Sequence, residues 1–401
     1  MNLFISLSLI LCVSDALQIQ KFSEENLNKS LLELEMRELL GIGQNDKRLK
    51  RQLPLKNSAG QFLLEVYNIV EEYESENFAQ SSLWLNNKRL KRSLRGSNLL
   101  TGLDVIEISK SNTIITFPSK PSKKTNHDPK LIFTINKVSN DLQLVHSVLR
   151  IYQQQNNNHF QQKTNKQLIT LFLYQRDDTL NQSLKILSTT NTTTIYKGWL
   201  EFEITENLRN WLKQDAAHFH DLMMSIHIRT ENATTNLSAQ DLGLILPYTD
   251  EAKTNDFQPF IIAYFNGPEL MQKIQKLRTK RYINKKKENH IVPSNWKSAM
   301  CKRHHFVIDF EELNMDESII APKQYEAYFC AGDCNFPLNM QTDATNHAIV
   351  QNLMHINDPS LPKPCCTPST LSPIKILHYD YNGNGVLRKY ANSIAKRCGC
   401  H

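Results

Sequence analysis

Between residues 17 and 300 the sequence contains no cysteine, so that stretch has no disulfide staples. Long apolar runs are missing as well. Beyond the first residues none reaches the ~18 consecutive apolar positions that a membrane span needs. The net charge of +7 is dispersed along the chain, and no zinc-finger or other nucleic-acid module is present, so nucleic acid is not a partner. No nucleophile–base motif stands out, which argues against an enzyme, and no catalytic residue, metal ligand or cofactor is assigned. Finally, no Asn-X-Ser/Thr acceptor occurs after residue 281. What the chain does contain is concentrated accordingly.

The opening "MNLFISLSLILCVSDALQ" runs apolar from Leu3 to Val13, followed by Ser14 and Ala16. This predicts a secretory signal peptide over 1–16, cut after Ala16, and a secreted, extracellular product. Of the eight cysteines, Cys12 belongs to that leader, and the other seven all lie in the last 101 residues. Dense cysteine in a short segment of an exported chain predicts a disulfide framework. Seven is odd, so one thiol is free or pairs with another chain.

Three basic tetrads punctuate the sequence: "RLKR" at Arg48–Arg51, "RLKR" at Arg89–Arg92 and "RTKR" at Arg278–Arg281. Subtilisin-like convertases, with acidic clefts, recognise this pattern through several basic side chains at once. The third copy separates the cysteine-free body from the cysteine-rich tail. Cleavage after Arg281, with Arg278 and Lys280 read by the protease, is the main event expected. Arg48, Arg51, Arg89 and Arg92 mark secondary sites that trim or divide the pro-region. Glycosylation acceptors at Asn28, Asn181, Asn191, Asn232 and Asn236 all precede the junction.

The expected organisation is a helical arm over 17–99, an α+β domain over 100–281, a flexible basic arm over 282–300 and a cysteine-rich domain over 301–401. In the first arm, Leu27, Leu31, Leu34 and Leu39 stand near helical spacing, and "GQFLLEVYNIVEEYES" forms a second helix. "NTIITFPS", "PKLIFTIN", "LQLVHSVLRIYQ" and "PFIIAYF" are β-rich, "GWLEFEITENLRNWL" runs from strand to helix, and "QQQNNNHFQQ" over 153–162 is a low-complexity loop. Lys285, Lys286 and Lys287 would suit heparan sulfate or matrix, though a solvated linker kept open for protease access accounts for them better.

In the tail, "HHFVIDF" and "YEAYFCAGDC" each predict a strand, and "ATNHAIVQNLMHI" a helix with Ile349, Leu353 and Ile356 on one side. Two further strands flank "YNGNG", since Asn-Gly accepts the positive φ of tight turns. A segment this small needs staples. Six paired cysteines allow 15 connectivities, and spacing does not choose among them. Bridges joining Cys330 and Cys334 to Cys398 and Cys400 would close a ring of eight residues, in which Gly332 and Gly399 leave room for something to pass. A zinc site using these cysteines with His304, His305, His347 and His355 requires reduced thiolates, which an exported chain does not keep.

Taken together, "CKRHHFVIDF", "YFCAGDCNFPL", "TNHAIVQ", "PKPCCTPS" and the terminal "CGCH" resemble the bone morphogenetic protein branch of the TGF-β superfamily. "QFLLEVYN", "GWLEF" and "FNGPELMQKIQKLRTKR" make the chain most similar to the glass bottom boat/Screw-type ligands. The resemblance implies a small β-rich cystine-knot fold, with two antiparallel finger hairpins plus one helix, behind an α+β pro-region. It implies that Cys330–Cys398 and Cys334–Cys400 form the ring, that Cys301–Cys366 threads it and that Cys365 bridges to a second protomer. It also implies a dimeric growth factor that gathers type I and type II serine/threonine kinase receptors. Matching positions for the type II receptor are Ala321, Pro322, Glu326, Lys375 and Leu387; for the type I receptor they are Phe336, Pro337, Ile349 and Leu353.

Two departures stand out. Where relatives carry two tryptophans, "ELNMDESIIAP" has Met315 and Ser318, and the usual acceptor asparagine at the helix start is Asp343. The first weakens the type I surface and predicts stronger activity as a heterodimer with another bone morphogenetic protein than as a homodimer. The alternative is a competitive antagonist occupying type II receptors without recruiting type I. The pro-region is expected to mask the receptor-binding groove with its leucine-rich helix over 27–42.

Overall fold

The computed structural model describes residues 32–38, 40, 42, 57–76, 99–121, 130–135, 138, 141–155, 168–176, 184–213, 222–230, 238–247, 255–267, 300–338, 342–380 and 383–401. The leader, all three basic tetrads, the arm bearing Lys285–Lys287, and Asn28, Asn181, Asn232 and Asn236 lie outside them. The chain divides into two compact units. One comprises Lys47–Pro268 with Leu377–Lys389, the other Met1–Asp46, Glu269–Ile376 and Tyr390–His401.

The first unit is a two-sheet sandwich with helices. In chain order it contains α1 (Ser58–Glu76), α2 (Gly102–Lys110), β1 (Thr113–Pro118), β2 (Lys130–Phe133), β3 (Gln143–Gln153), β4 (Leu168–Arg176), β5 (Leu184–Thr193), β6 (Gly198–Glu203), α3 (Thr205–Lys213), β7 (Leu222–Thr230) and β8 (Phe260–Asn266). One sheet runs β1-β8-β3-β6 and the other β2-β7-β4-β5. Their facing sides interdigitate as one apolar core, including Phe117, Leu149, Phe202, Ile261 and Phe265 from the first and Phe133, Leu171, Leu173 and Ile226 from the second.

In β8, Phe260 through Phe265 are all buried rather than alternating. One face meets the opposite sheet and the other is covered by helix, as the Phe62–Phe260 ring contact at 5.9 Å illustrates. A strand covered on both sides reads as a continuous apolar run. The low-complexity stretch begins later than its composition suggests. Gln153 is the buried last residue of β3; its Nε2 donates to Thr193 O, and its Oε1 accepts from Thr192 Oγ1.

At the centre of this unit lies a buried cation. Arg150, fully buried, donates to Asp104 Oδ2 at 2.7 Å, to Glu201 Oε1 at 2.5 Å and to Leu99 O at 2.5 Å. Asp104 also closes the capping box of α2 with Thr101 and accepts from Tyr264 Oη at 2.6 Å. Burial and the neighbouring Asp104 push the Tyr264 phenol well above its usual range.

The second unit holds β9 (Lys302–His304), β10 (Val307–Asp309), β11 (Ile319–Ala321), β12 (Gln324–Glu326), β13 (Phe329–Ala331), α4 (Asn346–Asn357), and most of β14 (Cys366–Tyr379) and β15 (Gly385–Cys400). The two strands predicted in "HHFVIDF" and "YEAYFCAGDC" are each broken in two. β9 pairs with β13 and β10 with β12. Between the pairs, Phe306 O accepts from both Ala327 N and Tyr328 N, and Tyr328 takes φ 54°. Alternation alone does not reveal such a break. β14 and β15 are neighbouring strands of the long finger. Their connecting turn is organised by Asp380, whose carboxylate accepts from Asn384 N at 2.9 Å, with Gly383 at φ 80°.

Candidate functional site

The knot ties the short β13, which carries Cys330, to the ends of the two long strands, where Cys366 opens β14 and Cys398 and Cys400 close β15. Cys301–Cys366, Cys330–Cys398 and Cys334–Cys400 are disulfides with Cα separations of 5.4, 5.6 and 5.9 Å, inside the usual range for an undistorted bridge. Cys301, Cys334 and Cys400 bring their sulfurs within 4.8 Å of one another, but each is committed to a disulfide and offers no thiolate to a metal. Gly332 adopts φ 126°, a left-handed conformation. A Cβ on Gly399 would sit 2.4 Å from Asp343 O, so this glycine admits neighbouring backbone rather than only leaving the ring open. Cys365 is unpaired and exposed. Its N–H donates to His401 O and its carbonyl accepts from His401 N, which pins the backbone beside the knot.

Helix α4 starts at Thr345, whose hydroxyl caps Ala348 N at 3.2 Å. Only Ala348 and Asn352 are buried on it, and Asn352 Nδ2 donates to Cys334 O at 3.1 Å. Of the stripe read from spacing, Leu353 and Ile356 are exposed and Ile349 is half-buried; the neighbouring Val350 and Met354 are exposed as well. Phe336, 52% exposed, and exposed Pro337 belong to the same unit.

A second surface involves the arm. Residues 32–38 and 40 are helical, and Leu34, the described member of the leucine stripe predicted from spacing, is not on the buried face. Leu34 is exposed; Leu40 and Ile42 are buried with Met36 half-buried, against Phe310, Met315, Ile319, Ile374, Ile376 and Tyr390. Leu27, Leu31 and Leu39 fall outside the described residues. Arg37 is buried too, paired with Glu33 at 2.8 Å. It donates to Ser318 Oγ at 3.1 Å and Asn314 O at 2.9 Å. Tyr390 Oη donates to Leu40 O at 2.8 Å. Tyr325 packs at the margin of this cluster, and burial raises its phenol to about 12. Met315 and Ser318, the departures noted from sequence, both touch the arm. Sequence reasoning missed Arg37, because a charged residue on an amphipathic helix ordinarily faces solvent.

Of the expected type II positions, Ala321, Pro322 and Lys375 are half-buried and Glu326 is exposed. Leu387 is different: it is buried at 5% exposure and lies in β15 opposite Ile114 of β1. The register Thr113↔Arg388 to Thr116↔Gly385 adds the start of β15 to the pro-region sheet, and Val386 enters the sandwich core. An exposed receptor contact at Leu387 therefore does not hold for the uncleaved chain.

A model of the transforming growth factor beta-like domain matches residues 300–400, and one of the TGF-beta propeptide matches residues 19–264. The chain belongs to the TGF-β family. Among its relatives, Protein screw of Drosophila melanogaster is 40% identical over 382 residues, 92% of this chain and 90% of that protein. Protein 60A of the same organism is 33% identical across 92% of this chain and 86% of its own length. Bone morphogenetic protein 8B of Mus musculus is 34% identical over 221 residues, 51% and 53% of the two chains. The protein is thus a growth factor of TGF-β/bone morphogenetic protein type with a propeptide, a signalling ligand and not an enzyme. Ligands of this family are secreted. No helix among the described residues is long and apolar enough to cross a membrane.

Proposed function

We propose that cleavage after Arg281 releases a growth factor that dimerises through Cys365 and gathers type I and type II serine/threonine kinase receptors, acting best as a heterodimer with a second bone morphogenetic protein. Gathering receptors raises their effective concentration on the membrane, so binding alone transmits the signal. The observation that carries the reading is the placement of Cys365. Among the described cysteines it is the unpaired, exposed one, the other six being bridged, and α4 beside it in sequence shows an uncovered apolar face. An exposed face of that kind marks an interface.

The pro-region acts as a mask. Support for this comes from the arm over Met315 and Ile319, and from β1 alongside Leu387. Processing at Arg51 or Arg92 would loosen the mask by cutting on either side of 52–92.

The test expresses the full chain alone and with a candidate partner, then reads non-reducing electrophoresis and a receptor reporter. A covalent dimer that Cys365→Ser converts to monomer is expected, with the heterodimer signalling more strongly. Cys365 bridged within its own chain, or a homodimer as potent as the heterodimer, would refute the respective parts. Met315 and Ser318 in place of interface aromatics also favour a second reading, a competitive antagonist. Its signature is a homodimer that silences the reporter response to another ligand.

A further inference from the structure

The sheet β2-β7-β4-β5 has two unlike faces. Ile169, Leu171 and Leu173 of β4 point into the sandwich core and are fully buried. The intervening residues on the opposite face are Leu168, 44% exposed, with half-buried Thr170, Phe172 and Tyr174. Tyr174 meets His227 edge-on at 4.7 Å, and Arg229 lies over the Phe172 ring at 5.8 Å. On this outer face Leu168, Phe172 and Tyr174 stand among polar neighbours, Thr189 and Thr193 of β5 and Ser225, His227 and Arg229 of β7.

On that same face stands a sequon, Asn191-Thr192-Thr193. Asn191 is exposed and pairs directly with Thr170, whose Oγ1 donates to Asn191 Oδ1 at 3.0 Å. Thr192 points the other way, buried, with its hydroxyl on Gln153. The register makes Leu168 and Phe172 the diagonal neighbours of Asn191. Diagonal neighbours lie about 7–8 Å away, within reach of long or aromatic groups.

We propose that Asn191 carries an N-linked glycan whose first N-acetylglucosamine units lie across Phe172 and Leu168, so that the chain's own sugar covers this face. The transfer balances simply. Asn191 Nδ2 attacks the anomeric carbon of a lipid-diphosphate-linked oligosaccharide, the carbon–oxygen bond to the diphosphate breaks, and Nδ2 gives up a proton. Oδ1 remains a carbonyl and keeps its hydrogen bond from Thr170. A pyranose presents a face of C–H groups, which packs on an aromatic ring, and covering the patch removes a site where another chain would otherwise adhere. The inference needs only passage through the secretory pathway. It stands or falls independently of receptor binding.

The experiment uses full-length protein secreted from animal cells. Glycopeptide mass spectrometry should find Asn191 occupied; an unmodified Asn191 overturns the proposal. Thr193→Ala removes the acceptor, whereas Thr193→Ser retains it. Thr193→Ala should lower the melting temperature of the pro-region by about 2–4 °C, and Thr193→Ser should not. Combined with Phe172→Ala, the loss on Thr193→Ala should vanish; an equal loss in both backgrounds would place the sugar elsewhere and overturn the stacking. Should the variants fail to secrete, endoglycosidase trimming of the folded protein to one residual sugar should preserve the melting temperature, and complete removal should lower it. Equal melting after both treatments also counts against the proposal.

Discussion

The sandwich and the knot solve the same problem by opposite means. The pro-region, without cysteine, buries Phe117, Phe133, Leu149, Phe202 and Phe265 between two sheets. The knot's own cluster has Cys301, Cys334 and Cys400 as its buried members. One part is held by area removed from water, the other mainly by crosslinks. The difference teaches which perturbation each tolerates. Reduction should give the largest contrast. Losing a native disulfide typically costs about 2–5 kcal/mol, and three losses exceed what a domain with roughly 5–15 kcal/mol of stability can absorb. Hydrogen exchange of the precursor in reductant should therefore show 300–376 and 390–401 losing protection while β3, β4 and β8 keep it. Loss of protection in the sandwich as well would show that its core depends on the knot.

The sandwich nevertheless has a crosslink of its own, made of charge. Arg150 joins α2 to β3, β6 and β8 through Asp104, Glu201 and Tyr264. Removing one partner of a buried ion pair typically costs about 3–5 kcal/mol, because the other charge is stranded. Arg150→Ala should destabilise the sandwich by that order in denaturant titration and leave the three disulfides intact by non-reduced peptide mapping. A cost below about 1 kcal/mol would mean that water reaches Asp104 and the network is dispensable.

These contrasts explain what the sequence displayed and what it concealed. Sandwich strands were legible because apolar residues are their driving force: "PFIIAYF" reads directly as β8. The turn between β14 and β15, with Gly383 at φ 80°, was legible from turn chemistry, and the helix at 346–357 from its period. The arm's orientation was not. Its spacing favoured a stripe that includes Leu34, which is exposed, whereas Met36, Arg37, Leu40 and Ile42 make the contact. Which stripe is buried depends on a partner surface nearly 300 residues away in sequence, where Asn314 and Ser318 offer oxygens to a guanidinium. The breaks near Phe306 and Tyr328 were likewise invisible, because a shared carbonyl and one positive φ set them. The burial of Leu387 was hidden for the same reason, since it depends on pairing with β1.

The long finger crosses between the two regimes, and His378 tests its sandwich portion. Its imidazole is buried, and burial lowers its pKa to about 4, with Arg388 acting in the same direction. The unfolded chain takes up this proton near pH 6.5, the folded chain only near 4. Stability is therefore unaffected above pH 6.5 and falls as pH drops toward 4, by about 3 kcal/mol in total. Denaturant titrations at pH 7 and 4.5 should show a smaller acid loss in His378→Leu than in the unmodified chain. Carboxylates contribute equally to both, so identical losses would mean that His378 is protonated without leaving its site.

The smallest expected effect concerns the arm, where apolar and polar anchoring meet on one helix. If burial of Leu40 and Ile42 alone held it, Arg37 would be replaceable by any residue that fits. Instead its guanidinium spans Glu33, Ser318 and Asn314, and hydrogen bonds to a charged group are worth about 1.5–3 kcal/mol each in buried settings. Part of that is offset by the cost of holding Arg37 out of water, so Arg37→Ala should loosen the arm by about 1–3 kcal/mol. Arg37→Lys should recover little, since an ammonium lacks the planar fork that reaches two acceptors at once. Hydrogen exchange of 32–42 in the intact precursor checks both, with β3 as internal reference. Faster exchange confined to the arm is the expected result. Unchanged exchange in both variants would return the arm to the same regime as the sandwich, held by apolar contact alone, and Ser318 would then have no part in masking.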